Sequence, residues 1–149
     1  MRCYDAIDSV LKLKGREVWS VSPDQTVYEA IEKMADKGVG AMLVILEGKP
    51  VGIVSERDYA RKVILKGRSS KETLVKDIMT SPVISVTHHQ KIEECMAIMT
   101  HHHVRHLPVI EGELLLGMVS IGDLVKWIIT EQEEIIKQLE HYIAGSFPA

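Results

Sequence analysis

The sequence predicts a mixed α/β (α+β) fold: two β-α-β-β-α units in tandem, packed as a pseudo-twofold pair, with an N-terminal helix and a long C-terminal helix outside the repeat. Three observations predict it. Sliding the chain against itself by about 65 residues aligns Val18, Ser20, Val21, Gln25, Glu29 and Met34 with Val83, Ser85, Val86, Gln90, Glu94 and Met99, without a gap. Further on, Gly52, Val54, Ser55 and Asp58 meet Gly117, Val119, Ser120 and Asp123 in the same register. Each copy alternates helical apolar spacing with short, continuously apolar runs of strand length. One copy is too small to bury its own sheet, so two must pack together.

The elements follow in order. Asp5–Leu13 places Ile7, Val10 and Leu11 on one face of a short helix. The first copy opens with a strand at Glu17–Val21, matched by Val83–Val86. Ser22-Pro23-Asp24-Gln25 and Thr87-His88-His89-Gln90 then read as capping boxes, a hydroxyl followed three residues later by Gln, with Pro23 at the first helical position. Val27, Ala30, Ile31 and Met34, and likewise Ile92, Cys95, Met96 and Met99, mark the buried helix faces, and Gly38 suits a left-handed helix end. A hairpin follows in each copy. Ala41–Leu46 turns at Glu47-Gly48-Lys49-Pro50 into Val51–Val54; His106–Ile110 turns at Glu111-Gly112-Glu113 into Leu114–Val119. Second helices open at Ser55 and Ser120. Between the copies stand a polar linker, Lys66–Lys71, and a short helix at Leu74–Met79; a last helix runs from Ile121 to Tyr142. The expected division is 1–16 as lead-in, 17–72 and 73–130 as the repeats, and 131–149 as a helical extension.

Composition narrows the function. The 149 residues carry a net charge of −3, with 46% hydrophobic and 26% charged residues, the proportions of an ordinary globular protein. The absence of like-charge blocks argues against nucleic acid as a partner. No apolar run approaches a membrane span, and the N-terminus does not read as a secretory signal. Two cysteines, Cys3 and Cys95, define no disulfide framework and suit a reducing, cytoplasmic setting. Neither a nucleophile–base pair nor metal-ligand spacing nor a glycine-rich phosphate loop is found, so the reading is no enzyme, no catalytic cofactor and no metal. The run His101-His102-His103 suits a helix C-terminus better than a metal, and Cys95 suits a core better than a nucleophile.

The shared motif Gly-x-Val-Ser-x-x-Asp, at Gly52–Asp58 and Gly117–Asp123, carries the functional signal. It puts a glycine where backbone can approach a ligand, a hydroxyl at a helix N-cap and a carboxylate in the first turn, a geometry suited to an anion or a sugar diol. The plainer reading is a capping-box variant that only closes the helix end. Recurrence in both copies favours the ligand.

With these motifs the chain resembles a cystathionine-β-synthase (CBS) domain pair, the Bateman module, of the stand-alone two-repeat bacterial type. Val104-Arg105-His106-Leu107-Pro108-Val109, Asp77-Ile78-Met79-Thr80 and Ser55-Glu56-Arg57-Asp58-Tyr59 resemble the family's wording too. The resemblance implies a module binding an adenosine-containing ligand: AMP, ADP, ATP, NAD or S-adenosylmethionine, with AMP or NAD first. It implies that Asp58 and Asp123 bond ribose hydroxyls, that Ser55 and Ser120 assist, and that adenine lies against the first strand and the hairpin start. If each site forms across the pair, Asp58 faces Ile84, Val104, Arg105 and His106, and Asp123 faces Trp19, Val39, Gly40 and Ala41. That arrangement gathers Arg57, Arg61, Lys62 and Arg105 at the Asp58 site and leaves the Asp123 site poorer in cations, so a phosphorylated ligand prefers Asp58. Arg61 and Lys62 read equally well as an exposed helix face. The expectation is a non-catalytic sensor, a homodimer of such pairs, signalling to an unidentified protein partner in trans. The alternative is a structural adaptor homodimer whose terminal helices bind a partner while the clefts are vestigial.

Overall fold

A computed structural model describes residues 6–144. Cys3 and the start of the expected first helix, Asp5, lie outside the described residues. The elements are α1 (Ile7–Lys14), β1 (Ser20–Val21), α2 (Val27–Lys37), β2 (Ala41–Leu46), β3 (Lys49–Ser55), α3 (Glu56–Tyr59), α4 (Ile92–His102), β4 (His106–Glu111), β5 (Leu114–Ser120) and α5 (Ile121–Ile143). A π-helical turn, Ala60–Ile64, extends α3, and a single 3-10 turn, Val75–Asp77, replaces the expected helix at Leu74–Met79.

The chain forms two compact units. One comprises Glu17–Ser85 with Gly112–Leu115; the other comprises the segment ending at Arg16, Val86–Glu111, and the chain from Leu116 onward. In the first, β2 is flanked by β1, parallel to it, and by β3, antiparallel. Val21, Val27, Ala30, Met34, Met42, Val44, Val54, Val63, Val75 and Ile78 form the core under this sheet. In the second, β4 pairs with β5, and α1 packs against α5. Ile7, Val10, Leu11, Val86, Ile92, Cys95, Met99, Leu107, Val109, Val119 and Leu124 are its buried apolar residues. Burial, aided by the neighbouring Glu94 charge, pushes the Cys95 thiol up to about 11, so it is a protonated core residue at neutral pH.

Three expected elements are corrected. The strand Glu17–Val21 is only Ser20–Val21, and Val83–Val86 forms no strand beyond a single parallel bridge, Val86 to Val109. The first hairpin turn is Glu47-Gly48 alone, with φ of 52° and 78°, so β3 starts at Lys49. Positive φ at both positions matches the twist of a two-residue hairpin. Pro50 sits in β3 opposite a register shift at Val44/Ile45, on the edge strand, where its missing N–H is tolerated.

The helices also begin later than their expected boxes. Gln25 Oε1 accepts from Ser22 N–H at 2.9 Å and Gln90 Oε1 from Thr87 N–H at 3.0 Å, but both bonds close turns ahead of the helices. The carbonyls of these turns are engaged by other segments: Pro23 and Gln25 accept from Lys76 and Val75, and His88 and Gln90 from Asp8 and Ile7. Helix α2 is instead capped by Thr26 and Glu29, each accepting the other's backbone N–H at 3.2 Å. Helix α4 starts after Lys91, whose N–H donates to Glu94 Oε1 at 3.0 Å. Gly38 takes the left-handed position after α2, at φ 66°.

Candidate functional site: two serine–aspartate boxes

Each hairpin delivers its last residue as the N-cap of the next helix. Ser55 ends β3 and Ser120 ends β5. In the first copy, Asp58 N–H donates to Ser55 Oγ at 3.1 Å, while Asp58 Oδ2 accepts from Ser55 N–H at 3.0 Å. In the second, Asp123 N–H donates to Ser120 Oγ at 3.1 Å and Asp123 Oδ2 accepts from Ser120 N–H at 2.8 Å. Both motifs are therefore complete reciprocal capping boxes, and the plainer reading of the motif describes a real part of its work.

The carboxylates carry a further feature: a lysine stands on each. Lys62 Nζ lies 3.1 Å from Asp58 Oδ1 and donates to the Ile78 carbonyl at 2.8 Å. Lys14 Nζ lies 2.5 Å from Asp123 Oδ2 and donates to the Met118 carbonyl at 2.7 Å. The acids are largely shielded, with side chains 13% and 24% exposed. Burial alone raises the Asp123 carboxyl, but the hydrogen bonds from Lys14 and Ser120 outweigh it and hold the group below the ordinary carboxylate range. Burial lowers His106, assisted by Lys14 and Arg105 against the opposing pull of Asp123, so His106 is neutral at neutral pH.

Sequence reasoning missed Lys14. It stands 109 residues before Asp123, and no local pattern announces the pairing. It adds a cation to the site expected to be the poorer in them. Lys62, expected either at the Asp58 site or on an exposed helix face, is exposed and reaches back to Asp58 and the Ile78 carbonyl.

The motif glycines are explained by the chain itself. A Cβ on Gly52 would lie 2.7 Å from Met79 Sδ and 3.0 Å from the Thr80 carbonyl oxygen, and one on Gly117 would lie 2.8 Å from Leu11 Cδ2. On the side a Cβ would occupy they admit a crossing segment and a helix side chain. In the first unit Thr80 bridges Ile53 through bonds of 2.8 and 3.0 Å.

The remaining predicted residues sort by unit. Glu56 N–H donates to the Gly40 carbonyl and Ala41 pairs with Ser55, which brings Gly40 and Ala41 beside the Asp58 box. Val39 and Gly40 line a cavity of about 270 Å³ with Ile31, Met34, Ala35, Gly38 and Glu56, and neither motif aspartate lines it. Trp19 is partly buried against the first core, with Lys37 Nζ 4.4 Å above its ring. In the second unit, Ile121 N–H donates to the Arg105 carbonyl, which sets Val104, Arg105 and His106 at the start of β4 beside the Asp123 box. Arg57, Arg61 and Arg105 are exposed, and Ile84 is half-buried in irregular chain.

A family model described as CBS domain matches residues 12–65 and again residues 75–130. The chain belongs to the CBS domain family. Among solved CBS structures, a protein assigned to signal transduction from Burkholderia ambifaria MC40-6 is 50% identical with a TM-score of 0.82, covering 85% of this chain and 96% of that one. The CBS domain-containing protein CBSX3, mitochondrial, of Arabidopsis thaliana is 42% identical over 95% of this chain and 73% of its own length. At 18% identity, TM-score 0.76, and coverage of 86% and 98%, the CBS domain pair of protein MJ0100 shares the fold; it was solved with 5′-methylthioadenosine and S-adenosyl-L-methionine. No helix among the described residues is long and apolar enough to cross a membrane.

Proposed function

We propose that this CBS pair is a non-catalytic regulatory module that binds an adenosine-containing ligand, AMP or NAD first, and signals its occupancy to a partner in trans. The observation that carries the reading is the pairing, in both repeats, of a shielded aspartate with a lysine at the end of a hairpin. A carboxylate accepts from a ribose diol, and an ammonium attracts phosphate. A nucleoside monophosphate presents both groups. Among the described residues, every bond to the Asp123 carboxylate falls on Oδ2, so Oδ1 remains for a further donor. Asp123 thus takes the ribose through Oδ1, and Asp58, both of whose oxygens are engaged, takes it through its remaining lone pairs, with Ser55 and Ser120 holding the two acids in place. Trp19, Val39, Gly40, Ala41, Ile84, Val104, Arg105 and His106 are the proposed adenine-side residues; Arg57 and Arg61 are proposed for phosphate. A cytoplasmic, reducing setting belongs to the same proposal, supported by the free thiol of Cys95.

The test is a thermal-shift and calorimetric screen with AMP, ATP, NAD and S-adenosylmethionine. A ligand at about 100 times its Kd adds roughly 2.7 kcal/mol of stability. Asp58→Asn and Asp123→Asn keep an acceptor for the capping bond, so they should lower affinity while the ligand-free chain still folds, at a melting temperature reduced by the loss of the lysine ion pair. No shift with any ligand, or full affinity in both variants, would overturn the sensor. A second reading, an adaptor whose terminal helix binds a partner, is favoured by α5, where Ile129, Ile136, Leu139, Tyr142 and Ile143 are exposed.

A further inference from the structure

His88, His89 and Glu111 belong to neither box, yet one donor atom from each lies within 4.8 Å of the other two. We propose that they form a site for a divalent transition-metal ion of the zinc class. His88 Nδ1 lies 2.9 Å from Glu111 Oε2. That nitrogen is buried, and the contact lacks the alignment of a hydrogen bond. A ring nitrogen and a carboxylate oxygen this close form an ion pair when the ring is protonated, and with a neutral ring they are placed as two ligands of one cation. The His89 ring stands 3.8 Å from that of His88, centroid to centroid, and supplies the third donor.

The chemistry of the set is specific. Two imidazoles and a carboxylate match zinc sites that retain one open position, filled by water. Ligands around a tetrahedral zinc at its usual bond lengths stand roughly 3.3 Å apart. The observed separations, from 2.9 Å to at most 4.8 Å, bracket that value, and His89 and Glu111 are exposed and able to turn inward. Asp8, a nearby acid, is engaged by Lys12 and Arg16, each at 3.1 Å.

Backbone bonds hold the cluster in place before any ion arrives. Val86 N–H donates to the Pro108 carbonyl at 3.0 Å and Ile110 N–H to the Val86 carbonyl at 2.9 Å, so the turn carrying both histidines lies along β4, which ends at Glu111. Asp8 N–H donates to the His88 carbonyl at 3.1 Å and steadies the turn from α1. An ion here staples the entry of α4 to the end of β4. Sequence spacing did not suggest this site because Glu111 and the two histidines are separated by the whole of α4.

The experiment is calorimetric titration of ZnCl2 into the chelator-stripped full chain without nucleotide, with melting curves in parallel. One saturable site per chain and a zinc-dependent rise in melting temperature are expected. His88→Ala and Glu111→Gln should each weaken binding by about tenfold or more, since even outer-shell changes cost that much. The triple variant His101→Ala/His102→Ala/His103→Ala should bind as the original chain does. Glu111→Gln changes an exposed side chain, so it decides the matter if His88→Ala fails to fold. No saturable site, unchanged affinity in Glu111→Gln, or loss of binding in the triple variant would overturn the assignment.

Discussion

Lys14 shows how much one side chain decides. It neutralises Asp123, ties α1 to the end of β5 through the Met118 carbonyl, and helps keep the Asp123 carboxyl ionised despite burial. A carboxyl whose folded pKa lies below its unfolded value of about 3.8 stabilises the fold above that pH and loses the contribution as pH falls through the folded value. Chemical-denaturation stability measured from about pH 6 down to about pH 2 should therefore fall on the acid side, and Asp123→Asn should flatten part of that fall. Lys14→Met removes the counter-charge while burial remains, so it should raise the Asp123 carboxyl, read directly by carboxyl NMR titration. An unmoved titration would show that the Ser120 bonds alone hold it down.

Gly52 and Gly117 occupy equivalent places in β3 and β5 but face different neighbours. Neither is in the left-handed region, so the cost of a side chain there is steric. At Gly52 a methyl group meets Met79 and the Thr80 carbonyl, which Ile53 holds by paired backbone bonds; at Gly117 the one tight contact is the end of Leu11, with Arg16 Cα at an ordinary 3.6 Å. Gly52→Ala should cost about 1–3 kcal/mol, the usual range for overpacking, and Gly117→Ala less, measured by urea unfolding. Equal costs would mean that the Thr80 segment yields as readily as a side chain. Such crossings also explain the late helix starts. The turns at Ser22–Gln25 and Thr87–Gln90 carry sound capping signals, but carbonyls given to Val75, Lys76, Ile7 and Asp8 are lost to the helices. Local propensity is a weak prior once a tertiary partner claims the same backbone groups.

Across the whole molecule, α5 continues beyond the repeat with an apolar face that the described residues leave exposed; Leu124 is its only fully buried residue among them. The homodimer expected from the sequence has this face available for packing, and on that expectation Ile136→Glu with Leu139→Glu should shift the chain to monomer in size-exclusion chromatography with light scattering. An unchanged mass would assign the face elsewhere. The duplication, the β-hairpins, the paired Ser-x-x-Asp boxes, the course of α5 and the family were legible from residue order, because capping, hydrophobic period and repeat register are local or self-comparing signals. The lysine on each aspartate, the reason for each motif glycine, the division of the chain into units and the His88–His89–Glu111 cluster were decided by tertiary structure. Each depends on residues from separate elements meeting through packing and backbone bonds, and spacing along the chain carries no record of such meetings.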